Sequence, residues 1–96
     1  MGFTTIKSTQ LNASGAVVAG SARVKSIYYD NGSSNVGTIQ LRNGGASGTV
    51  VCTINTPGVV DQYQVDIPEP GIRCESSSGP YVTITGGVSF VTVFYD

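Results

Sequence analysis

The sequence predicts an all-β fold: a compact antiparallel β-sandwich of about eight short strands, jelly-roll or immunoglobulin-like, in a single domain over residues 1–96. Three observations carry that reading. Val, Ile and Thr supply 30 of the 96 residues, whereas Leu supplies only Leu11 and Leu41. This bias suits pleated, half-buried positions and argues against helix. Apolar and polar residues alternate with a period of two along the chain, and the breaks fall at Gly, Pro, Asn or Ser. No eleven-residue window keeps a helical period without Gly or Pro intruding.

Taken in order, the alternation predicts strands near 3–9, 22–30, 36–42, 49–56, 62–67, 71–75, 80–85 and 88–95. Residues 1–21 are the least defined part. Within them, the small-residue segment 10–21 reads as either a short strand at Ala16-Val17-Val18 or a flexible arm. In 36–42, Ile39 and Leu41 share one face and Thr38, Gln40 and Arg42 the other. Gln62-Tyr63-Gln64-Val65-Asp66-Ile67 alternates most cleanly, pointing Tyr63, Val65 and Ile67 inward, and it stops at Pro68, which cannot donate to a ladder. The final strand is apolar on both faces, with Phe90 and Phe94 on one and Val91, Val93 and Tyr95 on the other. Such a strand is either central and covered, or lends one face to an interface.

The turns carry their own signals. Asn31-Gly32 accepts positive φ readily, Asn43-Gly44-Gly45-Ala46-Ser47-Gly48 reads as a hairpin loop, and Pro68-Glu69-Pro70-Gly71 and Gly86-Gly87 are turns.

Composition excludes several functions. Charged residues make up 11% of the chain, against about 25% in a typical soluble domain. The net charge of −1 provides no field to attract nucleic acid or an anionic membrane. Residues 1–42 hold Lys7, Arg23, Lys25 and Arg42 against Asp30, and residues 43–96 hold Arg73 against Asp61, Asp66, Glu69, Glu75 and Asp96. Opposed faces of unlike sign would help copies dock in register; ordinary scatter is the plainer reading. The start of the chain lacks a basic region followed by an apolar run, and no stretch reaches the roughly 18 apolar residues of a membrane helix.

The chemistry-bearing residues are sparse. The chain has no His and no Trp, so a nucleophile has no imidazole base beside it. Lys7 and Lys25 sit among polar neighbours in alternating strands, as solvated side chains do. Asp66 and Glu69 flank a turn, but a carboxylate pair works only when held about 5–9.5 Å apart in a cleft. Asp30-Asn31-Gly32-Ser33 lacks the dense acidic pattern of a calcium loop, and Gly44–Gly48 has no Lys for a phosphate cradle. Cys52 and Cys74 fall on inward faces beside Ile54 and Ile72. They read as buried free thiols, with a disulfide as the alternative, and two ligands make no metal site. Arg23, Lys25, Ile27 and Tyr29 share one face by strict alternation, a mixture that single-stranded nucleic-acid binders use in quantity. Two cations are too few for that role. No cofactor, metal or catalytic residue is expected, nor a nucleic-acid or membrane partner, and the chain does not read as an enzyme.

Four segments carry a family resemblance. They are Arg23-Val24-Lys25-Ser26-Ile27-Tyr28-Tyr29, Gly37-Thr38-Ile39-Gln40-Leu41-Arg42-Asn43-Gly44-Gly45, Val65-Asp66-Ile67-Pro68-Glu69-Pro70-Gly71-Ile72-Arg73, and Val91-Thr92-Val93-Phe94-Tyr95. Together, over roughly residues 22–96, they resemble small virion structural proteins of marine and cyanobacterial tailed bacteriophages. The Cys pair and residues 1–21 lie outside that pattern. The resemblance implies a non-enzymatic capsid decoration (cement) module, made in the bacterial cytoplasm and bound to the capsid exterior. Its partners would be the major capsid protein, other virion proteins and copies of itself, as a trimer on local three-fold axes. A neck, tail or fibre-attachment component is the alternative, as is a carbohydrate- or receptor-binding sandwich with Tyr28, Tyr29 or Tyr81 as its aromatic platform. The contact residues expected are Phe90, Val91, Val93 and Tyr95 of the final strand, with Arg23 and Lys25. On that expectation Val91→Asp abolishes assembly and spares the fold.

Overall fold

The computed structural model describes residues 6–96 and is all β. Its nine strands are β1 (Lys7–Leu11), β2 (Gly15–Ala16), β3 (Ala22–Asn31), β4 (Gly37–Asn43), β5 (Thr49–Thr56), β6 (Asp61–Asp66), β7 (Ile72–Cys74), β8 (Pro80–Gly86) and β9 (Val88–Tyr95). Seven of the expected strands lie within a residue or so of these bounds. For the expected strand at 3–9, residues 3–5 lie outside the described residues. The small-residue segment 10–21 contributes the end of β1 and then β2, and of the expected strand Ala16-Val17-Val18 only Ala16 lies in a strand. β2 starts one residue early, at Gly15, and Val17 N extends the pairing by donating to Pro80 O at 2.9 Å.

Two antiparallel sheets face each other. The first runs β1-β9-β3-β6, with β7 pairing the other half of β3, and the second runs β2-β8-β4-β5. The pairings nest: β1 with β9, β2 with β8, β3 with β6 and β7, β4 with β5. A long hairpin with that nesting, rolled so that β9 also meets β3 and β8 also meets β4, is the jelly roll rather than the immunoglobulin sandwich.

Alternation explains the core. Val24, Ile27, Tyr29, Val91 and Val93 of the first sheet meet Ile39, Leu41 and Val82 of the second, together with Val17 and Cys74. Ile39 and Leu41 are inward as expected, and Thr38, Gln40 and Arg42 line the outer face with Thr83 and Thr85 of β8. Arg42 Nε donates to Thr83 Oγ1 at 3.1 Å and Arg42 Nη2 to Gln40 Oε1 at 3.2 Å. A polar ladder therefore covers the second sheet. Val65 of β6 and Ile67 just past its end pack against the core, but Tyr63 is 53% exposed. It points along the inner face as expected, yet β6 is an edge, and its ring lies beside that of Tyr29, with centroids 6.1 Å apart.

Asn31 corrects the expectation for the turn after β3. It is the last residue of β3, fully buried, and no described non-glycine residue adopts positive φ. Gly32 is not among the positive-φ glycines either. A Cβ there would overlap Ser89 Oγ, which would have to turn away, so close approach rather than positive φ is what favours glycine. The β3–β4, β5–β6 and β8–β9 connections all pass between the sheets at this end of the sandwich; Asn31 ties the first two together, and backbone bonds of Gly87 with Gly32 and Val36 attach the third. Asn31 Nδ2 faces the carbonyls of Ser33, Asn35, Pro57 and Val59 at 2.9–3.2 Å.

Candidate functional site

The outer faces of the two sheets differ in character, and a β-bulge sets that difference. Strict alternation would put Arg23, Lys25, Ile27 and Tyr29 on one side. The β3–β9 register shifts between Val24 and Ser26, and the extra residue reverses the side on which later residues project. Val24, Ile27 and Tyr29 therefore face the core, while Tyr28 joins Arg23 and Lys25 outside. The basic–aromatic stripe expected from spacing does not exist as drawn.

On that outer face Tyr28 meets Phe90 of β9, ring centroids 6.2 Å apart and tilted by 43°. Phe94 lies on the same side, two positions further along from Thr92, which pairs Tyr28. All three aromatics are half-buried, yet none packs against the core cluster. Beside Phe94 a surface groove of about 470 Å³ is lined by Ile6, Lys25, Ser26, Gln64, Asp66 and Glu69, among others. The first sheet thus presents aromatic rings edged by polar groups, the composition of a protein-contact surface.

The expected contact residues divide three ways. Phe90 is on this face. Val91 and Val93 are 0% exposed between the sheets, so the folded protomer offers a partner no side-chain surface there; β9 is central, between β1 and β3, and covered on its valine face, while its Phe90 and Phe94 face lies outside the core. Tyr95 packs partly against the core, paired with Lys7 and Val24.

Arg23 and Lys25 are engaged within the protomer. Arg23 Nε lies 3.3 Å from Asp96 Oδ1, and Lys25 Nζ donates to Glu69 Oε1 at 2.8 Å and to Pro70 O at 3.2 Å. These pairs join cations of the first half of the chain to acids of the second, so both halves' charge is partly neutralised internally. Glu69, held by Lys25, is not poised as half of a carboxylate pair with Asp66. A smaller notch of about 290 Å³ is lined by Ser21, Ala22, Arg23, Arg73 and Asp96; Arg73 there pairs with Glu75 at 3.2 Å.

Both cysteines are free thiols, Cys74 buried in the first sheet and Cys52 half-exposed on β5 of the second. Burial pushes the Cys74 thiol above its ordinary value, which leaves less of the reactive thiolate at neutral pH. Among the described residues no three His, Cys, Asp or Glu side chains cluster as metal ligands. The three tyrosines considered for a sugar platform are separated: Tyr28 is on the first outer face, Tyr29 is in the core, and Tyr81 stands beside Arg42 on the second sheet.

The remaining exposed apolar residues also gather on one side. Val50, Val51, Val59, Val60, Val36 and Tyr63 are all exposed. They lie on β5, on β6, in the connection between those two edge strands, or just before β4. The bulge at Lys25-Ser26 and the edge positions of β5 and β6 are what the sequence reading lacked, since each depends on which strands become neighbours. No family model, curated protein or solved structure matches this chain.

Proposed function

We propose that this chain is a non-enzymatic bacteriophage virion structural protein, a decoration module that seats the outer face of its first sheet on the capsid exterior and stabilises the shell. The observation that carries the reading is the half-buried aromatic group Tyr28, Phe90 and Phe94 on the outer face of the first sheet, set against the Thr- and Gln-rich outer face of the second sheet. Aromatic anchors edged by polar groups provide most of the binding energy in protein interfaces. A jelly roll serves shell and lectin domains alike, so the architecture is compatible with this function without selecting it. Shell stabilisation then follows from mass action: a module that binds the assembled lattice and not its dissociated parts favours the lattice.

The test is binding of the soluble chain to virions that lack it, with Phe90→Ser and Phe94→Ser as variants. Both side chains lie outside the core, so both variants fold. Loss of particle binding by either supports the reading, and unchanged binding by both overturns the assigned face.

A further inference from the structure

We infer that β5 is a pairing edge, and that its occupant is β5 of a second copy, joining the two Thr- and Gln-faced sheets across a two-fold axis into one continuous sheet. Among the described residues five strands lie at sheet edges, and four are short or guarded against such pairing, β7 by its length of three residues. β2 is two residues long. β1 is five residues long and opens with Lys7. β6 begins and ends with aspartate and runs into Pro68, so copies of it laid edge to edge would oppose like charges.

β5 lacks the charge and proline guards. Its eight residues, Thr49-Val50-Val51-Cys52-Thr53-Ile54-Asn55-Thr56, contain no charge and no proline. Its one irregularity, the register shift against β4 between Leu41 and Arg42, lies at the Val50–Cys52 end and leaves Cys52–Thr56 regularly paired. Along that stretch alternate N–H and C=O groups point away from β4, and no strand among the described residues receives them.

The edge is complementary to itself. Antiparallel strands of one sheet place outward residues opposite outward residues, so Thr53 and Asn55 of one copy meet Thr53 and Asn55 of the other, with no charge opposed. Val50 and Val51, 37% and 39% exposed, flank the stretch on one side. Val59, Val60 and Val36, 51%, 69% and 69% exposed, gather past its other end. Because both copies use the same edge, the contact is isologous and closes at two. This departs from the trimer that the family resemblance implies.

The experiment is sedimentation of the full chain over a concentration series, with hydrogen exchange read in parallel. The expected species has twice the 9.9 kDa protomer mass, and alternate β5 amides gain protection as it forms. A variant carrying Thr53→Lys and Asn55→Lys is expected to be a folded monomer, as is one carrying Thr53→Glu and Asn55→Glu, while an equimolar mixture re-forms the dimer. A wild-type chain that stays monomeric up to about millimolar concentration, or a dimer that survives the lysine substitutions, overturns the pairing. Neither result bears on the docking face. A monomer that still binds virions sinks the pairing alone, and a dimer that binds none sinks the proposed function alone.

Discussion

Thr56 Oγ1 donates a 3.0 Å hydrogen bond to Asn31 Oδ1, joining the end of β5 in the second sheet to the end of β3 in the first. Asn31 is 0% and Thr56 3% exposed. The bond leaves the Asn31 amide hydrogens for the four surrounding carbonyls, so one side chain joins two of the three connections that change sheets at this end of the sandwich.

Asn31→Asp therefore places a carboxylate oxygen among carbonyl oxygens with no proton to share. The expected loss is about 2–4 kcal/mol by chemical denaturation. Crowding by those carbonyls raises the new carboxyl's folded pKa above its unfolded value, so the deficit shrinks as pH falls and the group regains a proton. Thr56→Val, which removes only the donor, is expected to cost about 1–3 kcal/mol, and the double variant less than the sum.

The core position of Val91 changes what its substitution does. Val91→Asp puts an unpaired carboxylate between the sheets and is expected to yield insoluble or unfolded protein, not a folded chain that fails to assemble. Val91→Ala is expected to fold with a loss of about 2 kcal/mol. Phe90→Ser, on the opposite face of the same strand, is expected to cost less than about 1 kcal/mol. Thermal melts of the three variants separate the two faces of β9.

Alkaline pH should destabilise the fold in two steps. Burial raises the Cys74 thiol above its ordinary 9.0. Burial, and then the neighbouring Tyr63 and Asp61, raise the Tyr29 phenol above its ordinary 10.0. A raised folded pKa means that the folded state holds its proton more tightly. The stability contribution is complete below the unfolded value and is lost as pH climbs through the folded one. Urea denaturation between about pH 7 and pH 11 should thus be insensitive to both groups until pH 9, then decline. Cys74→Ala should delay the decline until Tyr29 titrates.

Gly79 locks three loops at the other end of the sandwich. Its carbonyl accepts from Gly44 N at 3.1 Å and its own N–H donates to Ser76 O at 2.9 Å. It has φ of 76°, and a Cβ would overlap the carbonyl oxygens of Val18 and Gly20. Gly79→Ala should cost about 2 kcal/mol or more, read as a lowered melting temperature.

Strand positions were legible in the sequence because alternation and turn residues are local properties. Ile39 and Leu41, and the doubly apolar β9, could be read without knowing their neighbours. The sides on which residues fall after Lys25 could not, because the bulge is defined by the register of β3 against β9. The exposure of Tyr63 and of Val50 and Val51 depends on β6 and β5 being edges, which follows from the roll of the nested hairpin. Phe90 was recognisable as a contact candidate from its alternation against Val91. Its ring partner Tyr28 was not, since strict alternation placed Arg23, Lys25 and Tyr29 together and left Tyr28 apart.

The most direct measurement of the proposed role is quantitative mass spectrometry of purified virions of the phage that this proposal takes as the chain's source, read as copies per major capsid protein. A decoration module should appear within a few-fold of one copy per capsid protein. A ratio near one-hundredth would contradict that role and move the chain to the neck or tail, and its absence from the virion would contradict a virion role altogether.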